Sequence, residues 1–202
     1  MWRVKEQIAC TKNVQNKYSG KNISVAILDT GIFLHPDFSG RVIAFRDFVH
    51  QKKSPYDDSG HGTHVAGCLA GDGYLSEGRF CGIAPSCRLI IGKILDKNGN
   101  GSIDTMIDAI QWLLENKEKY NIKILNISIG FENHVTEYKT NKLIDLLVEG
   151  LNINGNPTGT IYNEYIASGD FFKIPQTIHY PSITYTFSST ASFLLDYDYL
   201  YY

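Results

Sequence analysis

Two stretches of the chain gather the side chains able to move protons. Asp29 lies in Val25-Ala26-Ile27-Leu28-Asp29-Thr30-Gly31-Ile32, with His35-Pro36-Asp37-Phe38 just behind it; His61 and His64 lie in Asp58-Ser59-Gly60-His61-Gly62-Thr63-His64-Val65-Ala66-Gly67. A carboxylate and an imidazole are the groups of acid–base catalysis, and a histidine pair is also raw material for a metal site. Spacing argues against the metal. Zinc proteases set histidines four apart with a glutamate between, whereas His61 and His64 are three apart around Gly62-Thr63, so His64 is expected to be structural and hydrogen-bonded. A third stretch, Asp96-Lys97-Asn98-Gly99-Asn100-Gly101-Ser102-Ile103-Asp104, opens like an EF-hand calcium loop, but the position that needs a bidentate glutamate is Ile107. No metal is expected on either stretch. Taken singly, an aspartate after a strand is usually a turn residue and a histidine opening a helix a surface one.

The elements that must position these residues read as alternating strand and helix. Ile23-Ser24-Val25-Ala26-Ile27-Leu28 is almost continuously apolar, the pattern of a strand covered on both faces, as in a parallel sheet. Asp29 then falls at the strand's C-terminal edge, where open α/β sheets place their sites. Two further runs, 88–95 and 123–129, bracket a stretch in which Ile103, Met106, Ile107, Ile110, Leu113 and Leu114 recur at helical spacing, with Asp104, Asp108, Glu115 and Lys117 left for its outer face. Strand, helix and strand predict a right-handed crossover. A helix is also predicted over 142–149.

A length of 202 residues suits one domain with a real core, and 43% hydrophobic with 20% charged residues is a globular composition. A net charge of −2 without a basic run argues against nucleic acid and against an anionic membrane surface. The opening Met1-Trp2-Arg3-Val4-Lys5-Glu6 has no signal-peptide core and no later run reaches a membrane span, so the default location is cytoplasmic. Cys10, Cys68, Cys81 and Cys87 form no C-x-x-C pair and are read as reduced, with Cys68 buried; a Cys81–Cys87 disulfide is the minority alternative. Past Gly150 the composition changes. Residues 151–202 hold eight of the thirteen tyrosines but five of the forty charged residues, which divides the chain into 1–150 and an atypical tail, 151–202.

Together, the two proton-moving motifs resemble those around the catalytic aspartate and histidine of the subtilases, a family of serine peptidases. Gly82-Ile83-Ala84-Pro85, Asn98-Gly99-Asn100-Gly101-Ser102 and Asn126-Ile127-Ser128-Ile129-Gly130 agree in the same order, so the resemblance covers residues 20 to 150. It implies a subtilisin-like α/β fold, a doubly wound, mostly parallel sheet with flanking helices. It implies that Asp29 is the buried carboxylate and His61 the general base, because a serine hydroxyl attacks only when an imidazole of fixed tautomer takes its proton. It further implies a cleft with Gly99, Asn100 and Gly101 on one wall and Ser128, Ile129 and Gly130 on the other, gripping an extended peptide or protein substrate through its backbone. No cofactor is expected for the chemistry; some members bind calcium for stability, and Asp37 matches one ligand position.

Departures from the family's pattern carry equal weight. The nucleophile belongs in a Gly-Thr-Ser-Met-Ala type segment downstream of the histidine, and no such segment is present. Ser168, Ser182, Ser188, Ser189 and Ser192 have neither Gly-Thr before them nor Met-Ala after them. The Ala-Ala-Gly-Asn type segment of the oxyanion asparagine is missing too; Asn152, Asn154, Asn156 and Asn163 stand in loop-like surroundings. The expectation is a truncated, inactive form of a serine endopeptidase. A peptide-binding relative without catalysis, or a subunit completed by another chain, stands as the alternative.

Overall fold

The computed structural model describes residues 2–128 and, beyond them, 142, 146, 162–167 and 170–177. Residues 1–127 form one compact unit and 128–202 a second. The first unit runs α1 (Trp2–Gln7), α2 (Lys12–Lys17), β1 (Ser24–Asp29), β2 (Val42–Asp47), α3 (His61–Ala70), β3 (Arg88–Lys93), α4 (Ile103–Glu115), α5 (Lys117–Tyr120) and β4 (Ile122–Ile127). Within the second, β5 (Tyr162–Ala167) and β6 (Asp170–Thr177) pair antiparallel. The helix predicted over 142–149 falls outside the described residues except at Lys142 and Leu146, both helical.

The four strands of the first unit lie in the order β2-β3-β1-β4, all neighbours parallel. The predicted strands are all present, two of them ending a residue or two early. The chain enters at β1, moves out to the β2 edge, returns through β3 and crosses with α4 to the far side of β1. That reversal puts the C-terminal end of β1 at the topological switch point, where the connections on its two sides diverge and open a crevice. Every residue of β1 is buried, as its unbroken apolar run requires for a strand covered on both faces.

Alternation along the strands sorts the two faces. Val25, Ile27, Leu89 and Ile91 pack with Ala66 and Ala70 of α3 and with Ile32, Phe38 and Cys87, while Val65 and Leu69 close over them half-buried. The small alanines let α3 approach the sheet closely. Cys68, expected to be buried, is only half-buried, because it lies off the helix face that carries Ala66 and Ala70; Cys87 is the buried thiol. Both are free, as are Cys10 and Cys81. On α4, Met106, Ile107, Ala109, Ile110 and Leu113 are buried and Asp104 and Asp108 exposed. Fully burying side chains such as Ile27, Leu28 and Ile90 contributes about 1.5–3 kcal/mol each. Among the described residues no helix is long and apolar enough to cross a membrane.

β2 has only the short apolar run Val42-Ile43-Ala44-Phe45 to announce it, cut off by Arg46 and Asp47. Arg46 is exposed, the four residues before it are half-buried, and only Asp47 is fully covered. Asp47 accepts the N–H groups of Val49, His50 and Lys52 and the hydroxyl of Tyr56, and so shapes the loop that leads back toward the histidine. Burial opposes ionisation of this carboxylate, but those four donors outweigh it and hold it below the usual carboxylate range.

Candidate active site

Asp29 is the last residue of β1 and His61 the first of α3. Asp29 is fully buried, and its Oδ1 lies 2.8 Å from Nδ1 of His61, whose side chain is 52% exposed. One oxygen of the carboxylate thus receives the imidazole, and the same oxygen accepts the N–H of Thr30 at 2.7 Å. The other, Oδ2, is buried with no hydrogen-bond partner among the described residues. With Nδ1 carrying the proton toward Asp29, the opposite ring nitrogen, Nε2, is left as a base. A buried carboxylate beside it stabilises the imidazolium formed when Nε2 takes a proton.

The approach of α3 to β1 is set by backbone chemistry. Gly60 precedes the helix at φ 94°, left-handed backbone that suits glycine, so the chain can turn sharply into His61. Gly62 comes so near Gly31 that a Cβ there would lie within 3.0 Å of the Gly31 carbonyl oxygen and 3.1 Å from Asp29 Oδ1. Its N–H donates to the hydroxyl of Thr30 at 2.9 Å. Gly62 therefore permits the close approach, while Gly60, with open space around it, serves only the turn.

Asp57 replaces the missing side-chain cap of α3. It accepts the N–H groups of Ser59, Gly60 and Thr63 and the hydroxyls of Thr30 and Thr63. Burial opposes its charge, and the Thr63 hydroxyl with the Gly60 and Thr63 N–H groups prevails, keeping the carboxylate below its ordinary range. Sequence reading passed over Asp57. Its position four residues before the histidine, at a helix start, was the available signal.

His64 is hydrogen-bonded as expected, to Cys68 Sγ at 3.8 Å, but stands on the exposed side of α3. Among the described residues no three histidine, cysteine or acidic side chains gather as a metal site. Asp37 takes the N–H of Leu75 on Oδ1 at 3.0 Å, and its carbonyl accepts from Nη2 of Arg41. The same guanidinium donates to the carbonyls of Ala70 and Cys87 and pairs with Asp72 at 3.5 Å. The Asp37 carboxylate thus holds a backbone N–H, and its main chain the Arg41 guanidinium.

Gly99, Asn100 and Gly101 are exposed in the loop between β3 and α4. Asp96 Oδ1 accepts the N–H of Asn98 and of Asn100, and Asp96 N–H donates to the Asn100 carbonyl. Those backbone bonds depress the Asp96 pKa and turn the main-chain groups of Asn100 inward. Ser102 then caps α4 by accepting the N–H of Thr105. The exposed edge is thus tied at both ends. Ser128 immediately follows β4; Ile129 and Gly130 lie outside the described residues. A separate groove of about 700 Å³, lined by Phe45, Arg46, Phe48 and Trp112 among others, includes none of these residues.

The profile of the Subtilase family (Peptidase_S8) matches residues 20–183 of this sequence. The chain belongs to the subtilase family. The serine protease AprX of Bacillus subtilis is 44% identical over 115 residues, covering 55% of this subtilase and 26% of AprX. Subtilisin E of Bacillus subtilis is 38% identical over 125 residues, covering 61% and 31% respectively. Two solved structures share the fold. A psychrophilic protease, S41, superposes with a TM-score of 0.56 at 33% identity, and a cold-adapted subtilisin-like serine proteinase with 0.53 at 25%; each match covers about two thirds of this chain and 44% of the other. The matched part therefore spans less than half of these relatives.

Proposed function

We propose that Asp29 and His61 are the carboxylate and general base of a serine endopeptidase site, and that these 202 residues alone do not cut peptides. The observation that carries the first half is the 2.8 Å contact between a fully buried carboxylate and Nδ1 of a histidine whose ring remains open to solvent. Family membership supports peptide-bond hydrolysis as the chemistry this pair serves. In such a reaction Nε2 of His61 takes the proton of a serine hydroxyl as it attacks the scissile carbonyl, then returns it to the leaving amine. Gly99 and Gly101, exposed in the loop after β3, would hold an extended peptide by main-chain hydrogen bonds, the main-chain groups of Asn100 being taken by Asp96.

The second half rests on the absence of a Gly-Thr-Ser-Met-Ala segment. In subtilisin, where it has been measured, loss of the serine lowers turnover about a million-fold and loss of the oxyanion asparagine about a hundred- to thousand-fold. The nucleophile must come from another stretch of polypeptide. Exposure of the purified chain to a fluorophosphonate probe is expected to label nothing, and a fluorogenic peptide mixture to remain intact. Stoichiometric labelling of one serine, such as Ser168 or Ser192, would overturn this half. The second reading, a peptide-binding subtilase without catalysis, is favoured by the tied Asp96–Ser102 edge, which needs no serine; saturable binding of an uncleaved peptide, lost on distorting that edge, would establish it.

A further inference from the structure

Lys93 is the largest fully buried side chain among the described residues, and the reaction just outlined gives it no task. A lysine ammonium taken wholly out of water persists only where its donors are met and its charge balanced. Here all three donors are met: Nζ lies 2.6 Å from the Thr30 carbonyl, 2.6 Å from Asp58 Oδ1 and 2.8 Å from the Leu95 carbonyl. The face of Tyr56 lies 5.0 Å away. These acceptors come from three different walls. Thr30 follows Asp29, Asp58 leads into His61, and Leu95 leads into the loop of Gly99, Asn100 and Gly101.

The route from Lys93 to the reacting atoms runs through Thr30. Its N–H is bonded to Asp29 Oδ1, its hydroxyl accepts from Gly62 N–H and donates to Asp57, and its carbonyl is held by Lys93. Thr30 therefore touches the carboxylate, the first turn of α3 and the capping aspartate at once, and the ammonium sets how its main chain is turned. β3 adds a second hold, since the N–H groups of Ile94 and Leu95 both donate to the Asp29 carbonyl. Asp58, the partly exposed member of the ion pair, is held below the ordinary carboxylate range by its hydrogen bond to Lys93, so it stays charged across the working range of any histidine base.

We propose that Lys93 is a positioning residue: one buried ammonium fastens the aspartate loop, the approach to His61 and the peptide-binding edge together, and fixes the Asp29–His61 contact. This rests on the reading of Asp29 and His61 given above, and one measurement separates the two. In the full 202-residue chain with ¹⁵N-labelled histidine, the His61 Nδ1–H proton should give a low-field signal, because it is hydrogen-bonded to the buried Asp29 carboxylate. Lys93→Met should abolish that signal, and Asp58→Asn should broaden it, with far-ultraviolet circular dichroism unchanged. Amide exchange at Asn98 and Asn100 should quicken by about tenfold or more in Lys93→Met, while amides of β1 remain protected. Absence of the signal in the unaltered chain refutes the Asp29–His61 reading itself. A signal unaltered in both variants overturns the positioning role alone, and if Lys93→Met fails to fold, an unaltered signal in Asp58→Asn does so.

Discussion

Replacing Gly62 by alanine should separate stability from the geometry of the proton pair. The added Cβ would fall within 3.0 Å of the Gly31 carbonyl oxygen and 3.1 Å from Asp29 Oδ1, and the Gly31 contact is with backbone that cannot swing aside. Relief to an ordinary C···O approach of about 3.4 Å moves the first turn of α3 outward by about 1 Å. Carried along, His61 Nδ1 would go from 2.8 Å to beyond the range of a good hydrogen bond with Asp29. Overpacking of this kind costs about 1–3 kcal/mol, and alanine returns up to about 1 kcal/mol of that through its helix propensity. The net loss of about 0–3 kcal/mol lowers Tm by up to about 10 °C and leaves the chain folded. Thermal unfolding and the low-field Nδ1–H signal, measured on the same sample, should therefore disagree: a cooperative transition and no signal. A Gly62→Ala chain that keeps the signal, or a structure of it with His61 still against Asp29, would refute the claim that this glycine sets the spacing.

Asp57→Ala should remove five hydrogen bonds and about 2–4 kcal/mol, moderated by its partial exposure, as read by urea unfolding. Since the Asp47 and Asp57 carboxylates are both held below their ordinary range, their contributions are complete above about pH 3.9 and are lost as pH falls through the lower folded values; unfolding free energy against pH should show this acid slope, shallower in Asp57→Ala. Arg41→Met should cost about 2–4 kcal/mol, because three backbone carbonyls and Asp72 lose one guanidinium, while the Asp29–His61 signal survives. Burial pushes the Cys87 thiol up to about 11, so at pH 8 a thiol reagent should reach Cys87 only after unfolding, as peptide mapping would show.

The proton pair was legible through the resemblance of its two motifs to those of the subtilases; by themselves, the apolar run ending in Asp29 and the glycines beside His61 mark only a strand end and a helix start. The strands predicted over 88–95 and 123–129 announced themselves as apolar runs, and the helix beginning at Ile103 by its helical spacing. What escaped depends on contacts between distant segments. Lys93 reads as an ordinary charge at the end of Arg88-Leu89-Ile90-Ile91-Gly92; its burial follows from acceptors at residues 30, 58 and 95, which no local window contains. β2 was hidden by Arg46 and Asp47, whose polarity is answered by the backbone of the next loop rather than by water. Cys68 was misplaced for a smaller reason, since its neighbours' helical phase, not its own hydrophobicity, decides which side of α3 it occupies.

The strand order also constrains how the polypeptide comes to be made. β1 leaves the ribosome first yet is innermost, and its two partners, β3 and β4, follow much later in the chain. With β4 ending roughly a hundred residues after Asp29, and synthesis at about 5–20 residues per second, Val25 to Leu28 wait some 5–20 seconds for both neighbours. For that interval a sticky apolar ribbon hangs unpaired from a nascent chain, and a chaperone or the ribosome surface has to shelter it.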